Sequence, residues 1–119
     1  MLIKLLASGI CHTDVHCIAG EWTGAAKFPL IPGHEGVGII EKLGENVEHL
    51  QVGDRVGTAW MHCSCLACEY CWTGRENVCP CQQNYGFNAP GTMGEYTVAQ
   101  ANFLVKIPDN LSDEEAARK

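Results

Sequence analysis

The chain has 119 residues and a mass of 13.0 kDa, room for one domain with a core and no more. Hydrophobic residues at 46% against 18% charged exclude a disordered or low-complexity chain. Fourteen acidic residues against eight Lys and Arg leave a net charge of −6. Nucleic-acid backbones and anionic membranes are therefore poor partners, and no apolar run reaches the roughly 18 residues that span a bilayer.

Residues 2–7 are apolar around the single Lys4 and predict a buried strand or a short helix. The first ten residues hold too few apolar side chains for a secretory signal. Residues 13–19, with Asp14 in the first turn and Gly20 as a stop, predict a short helix. A loop follows over 20–33, punctuated by Gly20, Gly24, Pro29, Pro32 and Gly33. Residues 37–43 carry Val, Ile, Ile and Leu between Gly36 and Gly44, a strand bounded by turn residues. Residues 52–58 repeat that logic, with Gly53-Asp54 turning the chain into a strand at Arg55. A cysteine-rich lobe occupies 59–82, and two strands are expected at 95–99 and 103–107, the second stopped by Pro108. Ser112-Asp113-Glu114-Glu115 is a capping box that opens a final helix. About seven residues follow that cap, short of the roughly 12–15 that a helix needs without tertiary support. The chain is accordingly expected to be an internal piece of a longer protein, with apolar surface exposed at its ends. Short strands, glycine turns and little helix make this a mainly β domain, a barrel being the candidate.

Cysteine is the outlier. Eight in 119 is about 7%, just under the roughly 8–10% of a disulfide scaffold. Six of the eight fall between Cys63 and Cys81. Clustered thiols without a secretory signal point to a reducing, cytoplasmic setting and to metal ligation rather than disulfides. Cys65, Cys68, Cys71 and Cys79 stand at C-x2-C-x2-C-x7-C, a spacing that aims four sulfurs at one tetrahedral zinc. Four thiolates leave no open position, so this site is structural. Free buried cysteines are the bland account, and three thiols in two-residue register argue against it. Cys63 and Cys81 each lie two residues from a proposed ligand; they could replace one but break the register. A nucleic-acid zinc ribbon is the functional alternative, but Arg75 is the only Lys or Arg in the lobe.

A second constellation is Cys11-His12-Thr13-Asp14-Val15-His16, in which Cys11 is a soft ligand candidate and His16 a ligand or proton carrier. Taken alone it is equally a cysteine near a helix start with solvated histidines. Gly33-His34-Glu35-Gly36-Val37-Gly38 adds an imidazole and a carboxylate on a glycine-dense turn. That turn is neither a dinucleotide fingerprint nor a phosphate-binding P-loop.

These residues resemble the zinc-dependent medium-chain alcohol dehydrogenases, in their N-terminal GroES-like catalytic domain. The zinc signature G-H-E-x2-G-x5-G-x2-V is matched by Gly33, His34, Glu35, Gly38, Gly44 and Val47. The segment G-x-C-H-T-D-x-H is matched by Gly9, Cys11, His12, Thr13, Asp14 and His16. A Gly-Asp-Arg-Val turn follows at 53–56, and the four-cysteine lobe comes in the family's order.

The resemblance implies a GroES-like, partly open barrel with short helices and a zinc lobe over 59–82. It implies Cys11 and His34 as catalytic-zinc ligands, Glu35 as a carboxylate able to exchange onto the metal, and Asp14 as the partner of the His34 ring. Thr13 resembles the hydroxyl that takes the substrate proton, His16 the outer end of that relay, and His12 the neighbour of the cofactor pyrophosphate. Trp22 and Trp60 fall at pocket positions whose bulk favours a small primary alcohol or aldehyde. The implied cofactors are two zinc ions and NAD, and the implied parent carries a Rossmann domain and forms a homo-oligomer. Two departures stand out: no cysteine follows Cys81 to supply a third catalytic ligand, and no G-x-G-x-x-G is present. The chain alone is thus expected to be inactive. The alternative is a non-catalytic zinc-binding or interaction domain left by truncation, which a reading frame continuing into a glycine-rich βαβ unit would exclude.

Overall fold

A computed structural model describes residues 1–22 and 26–118; Gly24, read above as a loop marker, lies outside them. Among the described residues, seven strands and three short helices follow one another. They are β1 (Leu2–Ser8), α1 (His12–Ile18), β2 (Gly36–Lys42), β3 (Arg55–Gly57), β4 (Met61–Cys63), α2 (Glu69–Trp72), β5 (Gln83–Asn84), β6 (Tyr96–Val98), β7 (Val105–Lys106) and α3 (Asp113–Ala117). Residues 2–7 are a strand rather than a helix, and the helix at 13–19 and the strand at 37–43 form within a residue or so of the expected bounds. The second strand begins at Arg55 as expected and ends at Gly57, and the strand expected at 95–99 forms over Tyr96–Val98.

Five strands form one antiparallel sheet in the order β6-β1-β2-β3-β7, and β4 pairs with β5 in a separate two-stranded ribbon. β6 and β7 stand at opposite ends, so the sheet is open rather than closed into a barrel. The long central pair has Ile3 opposite Ile40 and Leu5 opposite Gly38. Gly38 is required there: a Cβ would run into the Lys4 carbonyl and lie 2.7 Å from Ile3 Cγ2, forcing β1 and β2 apart.

Two apolar clusters bury the two faces of β2. Ile3, Ile40, Leu50, Val56, Tyr85 and Ala99 form the main core. On the other face Val37 packs with Ala116 and Ala117 of α3, flanked by Ala7 and Ile107. The final helix therefore has a partner, contrary to the expectation that it stands free. Its capping box forms, with Ser112 N donating to Glu115 Oε2 (2.9 Å) and Glu115 N to Ser112 Oγ (3.2 Å).

The Gly-Asp-Arg-Val turn fastens this end of the chain. Arg55 Nη1 donates to Asp113 Oδ1 (2.9 Å) and Nη2 to the Pro108 and Leu111 carbonyls (2.6 and 2.7 Å). Asp54 accepts from Gln51 N (2.9 Å) and pairs with Lys106 Nζ (2.8 Å), joining the start of β3 to β7. The strand expected at 103–107 is shorter than predicted: a 3-10 turn takes Ala101–Phe103, and only Val105–Lys106 pairs with β3. Among the described residues no helix is long and apolar enough to cross a membrane.

Lys106, and next the Gln51 amide, hold the Asp54 carboxyl below its ordinary value of 3.8. A carboxyl lowered in the folded state stabilises the fold fully above that ordinary value and loses the contribution as pH falls through the lowered one. The melting-temperature gap between wild type and Asp54→Asn is therefore expected to narrow on going from about pH 5 to about pH 3. Parallel thermal melts across that range measure it, and a gap that widens on acidification contradicts the assignment.

Candidate functional site

Cys11 is the N-cap of α1, with extended backbone (φ −106°, ψ 155°), so its side chain leaves the chain just before the helix turns away. Asp14, three residues on, is buried, and its Oδ2 accepts from Cys11 N (2.9 Å). Its Oδ1 accepts from Gly33 N (3.0 Å) and lies 3.4 Å from His34 Nδ1. That contact is ionic in distance but not aligned as a hydrogen bond, and His34 Nδ1 is a buried polar atom without a hydrogen-bond partner. One carboxylate thus ties the segment carrying Cys11 to the segment carrying His34.

The second segment is held from three sides. Gly33 has φ +93°, and a Cβ there would press on Thr92 and Met93, so only glycine makes the turn. Thr58 Oγ1 accepts from Gly36 N (2.9 Å) and donates to the His34 carbonyl (3.2 Å). Gly9 N donates to the Glu35 carbonyl (2.9 Å), which brings the end of β1 onto the same turn. The result places one ligand atom each from Cys11, His34 and Glu35 within 4.8 Å of one another. Thiolate, imidazole and carboxylate together suit a borderline cation such as zinc.

An aromatic wall runs out from this point. The His34 ring meets Trp60 edge-on at 5.2 Å between centroids, Trp60 lies 5.9 Å from Phe87, and Phe87 meets Trp22 edge-on at 5.6 Å. Trp22 stacks on His16 at 5.8 Å, and His16 lies 4.6 Å from His12. His16 Nδ1 also contacts Glu21 Oε2. Both tryptophans picked out by the family resemblance are therefore in this wall. Phe87 was missed; its signal was an aromatic among turn residues, Gly86-Phe87-Asn88-Ala89-Pro90, with no strand to bury it. Thr58 was missed as well, since a hydroxyl ending a short strand carries no pattern. Beneath the site, burial and then the Asp14 carboxylate push the Cys17 thiol up, consistent with a core residue rather than a ligand.

The second group of thiols is the one the spacing predicts. The sulfurs of Cys65, Cys68, Cys71 and Cys79 approach one another at 3.9 Å (65–71), 3.5 Å (68–71), 3.8 Å (68–79) and 3.5 Å (65–79). A tetrahedron with zinc–sulfur bonds near 2.3 Å has edges of about 3.8 Å, so the four sulfurs already outline a zinc shell. Ser64 Oγ approaches Cys71 Sγ at 3.4 Å, and Cys81 N donates to Cys79 Sγ at 3.4 Å. The Ser64 hydroxyl holds the Cys71 thiol low. The Ala67 amide, then Cys79, do the same for Cys65. At Cys68 the Cys71 amide pulls down, but burial and the neighbouring thiols outweigh it and push the thiol up to about 11. Cys63 stays outside the group, its Sγ 3.4 Å from Gln83 Oε1.

A mainly β domain with two preformed clusters of soft and borderline ligands defines a GroES-like, zinc-binding class of fold. The chain belongs to the alcohol dehydrogenase GroES-like domain family, whose model matches residues 1–109. An alcohol dehydrogenase of Geobacillus stearothermophilus is 53% identical over 117 residues, 98% of this chain but 35% of that protein. The chain thus spans about a third of the length of the curated relatives it matches. An NAD-dependent alcohol dehydrogenase structure superposes with a TM-score of 0.87 at 35% identity, over 98% of this chain and 34% of that one. A cobalt- and zinc-bound thermostable alcohol dehydrogenase from Pyrobaculum aerophilum gives 0.83 at 30% identity, over 98% and 35%.

Two measurements follow from the geometry. The four-cysteine lobe is expected to retain one zinc through dialysis against a mild chelator and Cys68→Ser to lose it, read by plasma mass spectrometry. Full zinc in that variant would rule the assignment out. Asp14→Asn is expected to weaken cobalt binding at the Cys11–His34 site by about 10–100-fold while leaving the lobe's metal in place, since it acts through the ring it faces. Cobalt absorption titrations resolve the two sites.

Proposed function

We propose that this chain is the substrate-handling part of a zinc-dependent, NAD-linked alcohol dehydrogenase of the cytoplasm, which converts a small primary alcohol to its aldehyde. The observation that carries the reading is the convergence of Cys11, His34 and Glu35 at the inner end of an aromatic wall, in a chain of this family. Cys11 and His34 would hold a catalytic zinc, with Glu35 able to exchange onto it, and Cys65, Cys68, Cys71 and Cys79 a structural one. Asp14 beside His34 Nδ1 leaves Nε2 as the nitrogen for the metal. Bound zinc supplies Lewis acidity, which makes the proton of an alcohol easier to remove.

The chain's own residues do the rest. Thr13, on the first turn of α1, takes the substrate proton on its hydroxyl. His16 lies three residues further on the same helix face and forms the outer end of the path. Glu21 engages His16 Nδ1 and fixes the tautomer, so that Nε2 exchanges the proton with solvent; the His16 side chain is 36% exposed. His12, exposed at the start of the helix, offers an imidazole to the cofactor pyrophosphate. Trp22, Phe87 and Trp60 form an aromatic wall beside these residues, and its bulk favours small primary alcohols. Hydride transfer needs a nicotinamide held at near-attack distance. No dinucleotide fingerprint occurs in these 119 residues, so by themselves they are expected to reduce no NAD.

In the full-length enzyme, Thr13→Ala is expected to abolish most turnover and Thr13→Ser to be tolerated, because the hydroxyl is what carries the proton. His16→Gln is expected to slow turnover by about 10²-fold, with recovery in concentrated buffer base. Steady-state kinetics of the three variants decide it: ordinary turnover in Thr13→Ala removes the relay, whatever the metal content.

A further inference from the structure

Two histidines of α1 stand one helical turn apart. His12 and His16 are at i and i+4, the spacing that puts two imidazoles on one face of a helix and lets both reach one metal ion. Their ring centres are 4.6 Å apart, with the planes inclined at 35°. Two imidazoles side by side on one ion, with metal–nitrogen bonds of about 2.1 Å, have ring centres about 4.5–5.2 Å apart. The pair already stands at that separation. His16 is prepared further: Glu21 Oε2 engages its Nδ1, which leaves the lone pair of Nε2 for another partner, and Trp22 stacks on the ring at 5.8 Å. His12 is exposed and His16 half-buried, so an ion reaches both from solvent, and a net charge of −6 favours the approach of a cation.

We propose that His12 and His16 form an accessory cation site, which takes up a borderline divalent ion such as zinc from solution and closes the proton path when filled. Imidazole nitrogens suit zinc, nickel and copper(II), whereas magnesium and calcium take oxygen ligands. Glu21 behind the His16 ring supplies what a metal-bound histidine ordinarily has, a carboxylate that accepts its other ring N–H and raises its basicity. With two protein ligands the remaining positions belong to water. The site therefore binds more weakly than the four-thiolate lobe and fills when zinc is in excess. The effect on turnover rests on the proposed function: the ion occupies His16 Nε2, the atom through which the relay hands its proton to solvent. Binding itself needs only the two rings.

The test has two arms. In the first, the 119-residue chain with zinc bound in its cysteine lobe is titrated with further zinc chloride, and nitrogen-resolved NMR spectra of the histidine rings report which atoms take the ion. His16 Nε2 and one nitrogen of His12 are expected to shift together with a single midpoint. His12→Gln and His16→Gln are each expected to raise that midpoint by about 10–100-fold, because one ring alone loses the effective concentration that the pair provides. His49→Gln, whose ring instead contacts the Ala101 carbonyl, is expected to leave it unchanged. One ring shifting without the other, or the wild-type midpoint in His12→Gln, overturns the site. In the second arm, turnover of the full-length enzyme is measured against added zinc. It is expected to fall with the midpoint of the binding curve and to recover on dilution. Occupied histidines with undiminished turnover overturn the closing of the proton path. An enzyme that oxidises no alcohol before zinc is added marks failure of the proposed function instead, and the spectra of the first arm still decide the site.

Discussion

The organisation of the site depends on one buried carboxylate. Asp14 is 2% exposed and would be costly to bury without partners. It has them on two separate segments: the amide of the helix cap, Cys11, and the amide of the turn residue, Gly33. Each bond to a charged acceptor is worth roughly 1.5–3 kcal/mol, and breaking either would leave a buried charge short of a donor. The helix α1 is only seven residues long, too short to be stable by itself, so its start is fixed by this anchoring rather than by its own propensity. The carboxylate therefore sets where Cys11 and His34 stand relative to each other before any metal arrives.

The cysteine lobe solves a different problem. Apart from Cys71 and Cys79 the segment from Cys65 to Cys81 buries almost nothing, and Leu66, Tyr70, Trp72 and Val78 are all exposed. A segment that buries so little apolar surface cannot offset the entropy of ordering its backbone. Four sulfurs at tetrahedral spacing are what closes it, in the way small domains use metal where a core is lacking. The lobe is tied to the domain at its base by the β4–β5 ribbon and by Tyr85, which the main core buries completely.

Much of this was legible in the sequence because it is written in local signals. The β2 strand shows as a β-branched run between glycines, α1 as Asp14 in a first turn, and α3 as a reciprocal cap. The side-chain groups that come together, the four cysteines and Cys11 with His34 and Glu35, show as fixed spacings. What was not legible depends on tertiary pairing. Residues 103–107 look apolar enough for a full strand, yet β7 lies at the sheet edge with Val105 exposed and pairs only at Val105 and Lys106. Whether the sheet closes is decided by which strands end up at its edges, and no periodicity encodes that. The β4 and β5 strands are three and two residues long, below the length at which alternation has meaning. Phe87 became visible only when folding placed it between two tryptophans.

The two groups of candidate metal ligands, separate in chemistry, are linked through one side chain. Trp60 stands between β3 and β4, where the chain leaves the main sheet for the lobe. Its carbonyl accepts from Tyr85 N (3.0 Å), and its indole N–H donates to the Asn84 side chain (2.5 Å) with that amide turned to bond Gln83 O as well. Asn84 ends β5 and Tyr85 follows it directly, so Trp60 is held by the segment that returns from the lobe. The Trp60 ring also meets the His34 ring edge-on at 5.2 Å between centroids and lies 5.9 Å from Phe87. The four-cysteine lobe and the Cys11–His34–Glu35 group are thus joined by one indole, which meets the His34 ring on one side of the chain and is held by the segment returning from the lobe.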